Sequence, residues 1–63
     1  MLPKQIQIAG VVVSIILDPT LIDTQKIAGE AIYSEQKIVL DPTVPRDLLW
    51  QHFWHEVMHW IMY

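Results

Sequence analysis

The chain has 63 residues, no cysteine and a formal charge of −3, so it is at most one small domain, burying only about 60% of the surface its unfolded form exposes. Neither a disulfide framework nor a thiolate metal site is open to it, and any metal must be held by His, Asp or Glu. Its basic residues, Lys4, Lys26, Lys37 and Arg46, are scattered, and its longest charge-free apolar run, Ile8 to Leu17, is short; no nucleic-acid surface is expected from the first and no membrane span from the second, which falls well below the ~20 residues a bilayer requires.

Gln5-Ile6-Gln7-Ile8 alternates polar and apolar residues, Ala9-Gly10 breaks the alternation, and the β-branched run Val11 to Leu17 follows. This predicts two strands joined by a tight turn, with Val11, Val13, Ile15 and Leu17 on one apolar face of the second. Asp18-Pro19-Thr20 stops that strand, and Leu21 to Gln25 read as a connection. Lys26 to Tyr33 predict a third strand, Ser34-Glu35-Gln36 a turn, and Lys37 to Leu40 a fourth. Two consecutive hairpins forming a meander are the simplest arrangement. The tetrapeptide Leu-Asp-Pro-Thr occurs at Leu17 to Thr20 and again at Leu40 to Thr43, which reads as a reused stop signal, since proline cannot continue a ladder.

From Thr43 the period changes. Thr43 suits an N-cap, Pro45 a first turn and Asp47 the positive end of a helix dipole, and neither Gly nor Pro interrupts Arg46 to Tyr63. One helix of about five turns is expected. At about 100° per residue, Trp50, Phe53, Val57 and Ile61 gather on a side predicted to meet the sheet, and His52, His55, Glu56, His59 and Tyr63 on a nearly opposite side predicted to open on a cleft. Leu49, Met58, Trp60 and Met62 point elsewhere, so self-association through this C-terminal helix is expected.

The chemistry lies in His55-Glu56-Val57-Met58-His59. Histidines four apart on a helix can direct two imidazole nitrogens at one Zn²⁺, and a glutamate directly after the first lies beside the second without ligating. That set suits peptide hydrolysis: zinc activates a water and polarises the scissile carbonyl, and Glu56 takes the proton as general base and passes it to the leaving amine. Random placement of this chain's His and Glu residues produces the pattern only roughly 0.6% of the time, so chance explains it poorly. His52 shares the face, but three histidines in successive turns of a straight helix seldom converge on one ion, and a supporting polar role is expected. Trp50, Trp54 and Trp60 are read as core, and Glu30 as an ordinary strand residue facing solvent.

With these residues in view, the chain resembles the zincin metallopeptidases, and more narrowly the minimal phage- and prophage-type members related to the ImmA/IrrE and SprT-like groups. The matching segments are Gly29-Glu30-Ala31, Ile38 to Pro42, Leu48-Leu49 and the His55 to His59 motif. The resemblance implies Zn²⁺ as cofactor, His55 and His59 as ligands, Glu56 as catalytic base, and a sheet edge at Ala28, Gly29, Glu30, Ala31 and Ile32 along which an extended peptide or protein substrate lies. Two departures bear on the subgroup. A metzincin would show Gly where Met62 stands and a further His beyond Tyr63; a gluzincin takes a Glu from a later helix. The expectation is therefore an α+β fold, four mostly antiparallel strands in two hairpins followed by one long C-terminal active-site helix, with residues 1–63 a single partial domain forming the N-terminal half of a zincin-like metallopeptidase. Weak signal-peptide character and the missing cysteines point to the cytoplasm. The alternatives are a catalytically silent zinc-binding or phage-derived interaction module, and a structural domain in which both histidines are merely packed.

Overall fold

Ala9 and Gly10 reverse the chain with φ of 51° and 83°, the positive pair that a type I′ hairpin turn requires. They join β1 (Gln5–Ile8) to β2 (Val11–Leu17) with Ile8 opposite Val11 and Ile6 opposite Val13. The computed structural model describes residues 2–62. Beyond β2 come α1 (Leu21–Gln25), β3 (Gly29–Ile32), a 3₁₀ turn (Tyr33–Glu35), β4 (Lys37–Leu40) and α2 (Arg46–Met62). Glycine fits the left-handed region at no steric cost, whereas alanine at position 9 carries its Cβ there. Ala9→Asn should raise stability by about 0.5–1 kcal/mol, because asparagine tolerates that conformation. The check is a higher urea midpoint with an unchanged m-value.

The fold is α+β, as expected, but the sheet is mixed. Its strand order is β1-β2-β4-β3: β1 and β2 pair antiparallel, β3 and β4 pair antiparallel, and β2 runs parallel to β4. The two hairpins therefore form no meander, because the second is reversed so that its later strand sits in the middle. Composition gives the reason. β4 is apolar on both faces, with Ile38 and Leu40 fully buried and Val39 nearly so, as an interior strand should be. β3 carries Gly29 and Glu30 and is only half-buried, which suits an edge. The Leu21 to Gln25 connection that permits the crossover is a single helical turn, α1, too short to show a period. It ends on Lys26 at φ 61°, so β3 starts at Gly29 rather than Lys26 and stops at Ile32 rather than Tyr33.

Parallel pairing sets the two Leu-Asp-Pro-Thr segments side by side, with Leu17 in register with Leu40. Each forms the same turn. The Thr20 N–H and hydroxyl donate to Asp18 Oδ1 at 2.9 and 2.7 Å, and the Thr43 N–H and hydroxyl donate to Asp41 Oδ1 at 2.8 and 2.6 Å. Thr43 is thus committed to this turn and is not the N-cap of α2, which begins at Arg46. The copies differ in burial. Asp41 is 1% exposed, and its Oδ2 accepts the Ile22 N–H at 3.0 Å, tying the start of α1 to the end of β4.

The Thr43 hydroxyl, then the Ile22 N–H and, more weakly, the Thr43 N–H hold the Asp41 carboxyl below its ordinary value of 3.8, with burial pushing the other way. The folded chain therefore binds this proton less tightly than the unfolded one, and Asp41's contribution is complete above 3.8 and lost as pH falls through the lower folded value. Asp41→Asn should lower the urea midpoint at pH 7 and flatten its fall under strong acid. Asp18→Asn, in the exposed copy of the turn, should change it less.

The core lies between one face of the sheet and α2, built from Ile8, Val13, Ile15, Ile38, Leu40, Phe53 and Val57. Leu17, expected on this face, is 50% exposed at the strand's end. Across the sheet, Val12 and Ile16 are exposed, so α2 covers one face only.

Candidate metal centre

Phe53 and Val57 point from α2 into the core as expected, but the helix is rotated about its axis from the predicted setting. Glu56, predicted to face a cleft with the histidines, is buried against the sheet, while Ile61, predicted to be covered, is 60% exposed. Leu49 and Trp60 pack against the core and only Met58 and Met62 of the predicted outward set are exposed. The tryptophans are not a core cluster: Trp50 and Trp60 are half-buried and Trp54 is exposed. Tyr63 lies outside the described residues.

Two local features account for the rotation. Gly29 of β3 has no Cβ, and one built there would lie 3.0 Å from Leu40 Cδ2 and 3.4 Å from both Glu56 Cγ and Glu56 Oε2; Glu56 packs directly over the bare backbone at this position. One turn further along α2, Trp60 meets Tyr33 edge to face with ring centroids 5.0 Å apart. Its indole Nε1 is buried without a hydrogen-bond partner among the described residues. The sequence held a signal for the first of these contacts, since glycine inside a strand often marks a close approach by another group. The Tyr33–Trp60 contact had none.

His55 and His59 lie on the outer side of the helix, both exposed. Their Nε2 atoms are 3.0 Å apart and their ring centroids 4.6 Å. Two nitrogens bound tetrahedrally to one zinc at about 2.0–2.1 Å stand about 3.3 Å from each other, so a small rotation of either ring turns this hydrogen-bonded pair into a chelate. Nitrogen donors of this kind suit Zn²⁺, and the pair fits the metal. His52 is half-buried one turn earlier. No group of three or more His, Asp or Glu that could hold a metal ion stands together among the described residues.

Of the five residues expected to form a substrate edge, Gly29 to Ile32 are β3, and β3 is indeed a terminal strand of the sheet. Ala28 precedes it, and its C=O accepts the Asp41 N–H at 3.0 Å. From that bond the antiparallel alternation turns Glu30 and Ile32 towards β4 and leaves the N–H and C=O groups of Gly29 and Ala31 on the open edge. Gly29 and Ala31 also share the sheet face that meets α2, so the open main-chain groups and the Glu56 side chain lie at one corner of the molecule. Glu30 lies on the other face, half-buried. No described helix is long and apolar enough to cross a membrane. Comparison with known proteins finds no family model, no curated relative and no solved structure that matches this chain.

Proposed function

We propose that the chain carries the zinc-ligating and general-base elements of a zincin-like metallopeptidase, resembling the minimal ImmA/IrrE-like and SprT-like members, that hydrolyses peptide bonds in the cytoplasm. The observation that carries this reading is the approach of His55 Nε2 and His59 Nε2 to 3.0 Å on a helix whose next side chain inward is the buried Glu56. Zinc bound there would supply Lewis acidity towards a scissile carbonyl and make water a stronger acid. Glu56 would take the proton of the attacking water and pass it to the leaving amine. The N–H and C=O groups of Gly29 and Ala31, unpaired among the described residues, would align an extended peptide or protein substrate as an added strand.

A second reading, a catalytically silent zinc-binding interaction module, is favoured by the lack of a third ligand beside the pair among the described residues, since catalytic zinc ordinarily has three protein ligands and one open position. Calorimetric titration of the metal-free chain with Zn²⁺ tests both. Saturable heat is expected, absent in the His55→Ala, His59→Ala double variant and weaker in acid, where protonated imidazole cannot coordinate. Equal heats from the wild type and the double variant would sink both readings. Because two histidines hold the metal loosely, cleavage of an unstructured protein by the zinc-loaded chain should stay far below enzyme-like rates. Brisk cleavage abolished by Glu56→Gln would instead show that another subunit completes the site.

A further inference from the structure

The outward side of α2 has a regular pattern that the peptidase reading leaves unused. Leu48, Gln51, His55, Met58 and Met62 follow one another at alternating steps of three and four residues, the a/d spacing of a helix that packs against another helix. His59 flanks the stripe. Leu48 is 42%, Met58 54% and Met62 78% exposed, so the seam has no partner among the described residues. It also carries no Asp, Glu, Lys or Arg: from Leu48 to Met62 the one such side chain is Glu56, and that is buried against the sheet. A second copy of this face can therefore approach without repulsion between carboxylates, although the chain as a whole has a formal charge of −3.

We infer that the occupant of this seam is a second copy of the chain, and that Zn²⁺ joins the two through His55 and His59 of each. The inference rests on the reading of this histidine pair as zinc ligands. One chain offers two imidazole nitrogens and, among its described residues, no third ligand beside them. Zinc in closed sites takes four ligands, and a two-fold pairing of identical helices doubles every donor on the seam. The same pairing buries Leu48, Met58 and Met62, apolar side chains that are otherwise wet. With four imidazoles in place the metal has no open position for substrate, so the dimer is a closed, structural state and peptide hydrolysis is confined to whatever assembly leaves that position free.

Sedimentation velocity of the 63-residue chain, with EDTA and with added Zn²⁺, together with the zinc content of the separated species, tests this. Monomer in EDTA, dimer with zinc at one metal per two chains, and loss of the dimer in His59→Ala are the expected results. Met58→Glu gives an independent arm, because it charges the seam at an exposed position and leaves both histidines in place. It should weaken zinc-driven dimerisation by tenfold or more while retaining histidine-dependent zinc binding. One zinc per monomer, bound through His55 and His59 with no change in mass, would overturn the dimer and leave the proposed function standing. A dimer of equal strength in EDTA would also overturn it, and failure to bind zinc at all would remove both readings.

Discussion

Phe53→Ala should cause the largest loss of stability of any single truncation in the chain. Phe53 is 3% exposed and lies at the centre of the helix–sheet contact, edge to face with Trp50 at 5.6 Å and Trp54 at 5.1 Å between ring centroids. Truncating a buried phenylalanine costs about 3–5 kcal/mol, part transfer and part cavity. A chain of this length has a total stability of about 3–9 kcal/mol, so a single truncation removes roughly a third of it or more. Trp54→Ala is the control. That indole is 57% exposed and should cost about 1 kcal/mol or less, even though it removes more atoms. Circular dichroism melts of the two variants give the comparison, and equal losses would mean that α2 is set differently on the sheet.

Gly29→Ala should be the next most damaging change, at about 1–2 kcal/mol. In most strands this substitution would help by limiting the unfolded chain, by about 0.4–1 kcal/mol. Here the added methyl would lie 3.0 Å from Leu40 Cδ2, and Leu40 is completely buried and cannot easily yield. Overpacking of this kind costs about 1–3 kcal/mol, which outweighs the gain. The methyl also meets Glu56 Cγ and Oε2 at 3.4 Å, an ordinary contact that adds little to the cost. Combining the change with Glu56→Ala separates the two contacts: most of the cost of the methyl should persist in that background, since Leu40 is the tight neighbour and remains. Urea midpoints of the wild type, both single variants and the double variant complete the cycle. A neutral or stabilising Gly29→Ala would show that the corner between β3 and α2 is looser than described.

The candidate site was legible as a local pattern because its geometry is local. Two histidines four apart on an uninterrupted helix face the same way whatever the rest of the chain does, and Nε2 atoms at 3.0 Å are the outcome. The hairpin at Ala9-Gly10 and the turns at Asp18 and Asp41 were legible for the same reason, each being made by residues within two or three positions of one another. The helix faces were read less well. Hydrophobicity alone put Glu56 on the wet side and Ile61 on the dry one, and the packed helix reverses both. A carboxylate can face a sheet where a glycine leaves it room, and that vacancy is invisible until the strand bearing Gly29 is placed beside the helix.

The sequence by itself determined the number of strands, the long C-terminal helix, the turn positions and the histidine pair, because propensity, proline and glycine placement and helical period act over a few residues. Tertiary structure alone decided which strand lies where. β4 occupies the interior and β3 the edge, so that the apolar Ile38, Val39 and Leu40 are buried between β2 and β3 while half-buried β3 takes the rim, an arrangement that depends on neighbours far apart in the chain. That choice opens the main-chain groups of Gly29 and Ala31, brings Glu56 to the same corner, and turns the histidine stripe of α2 outward.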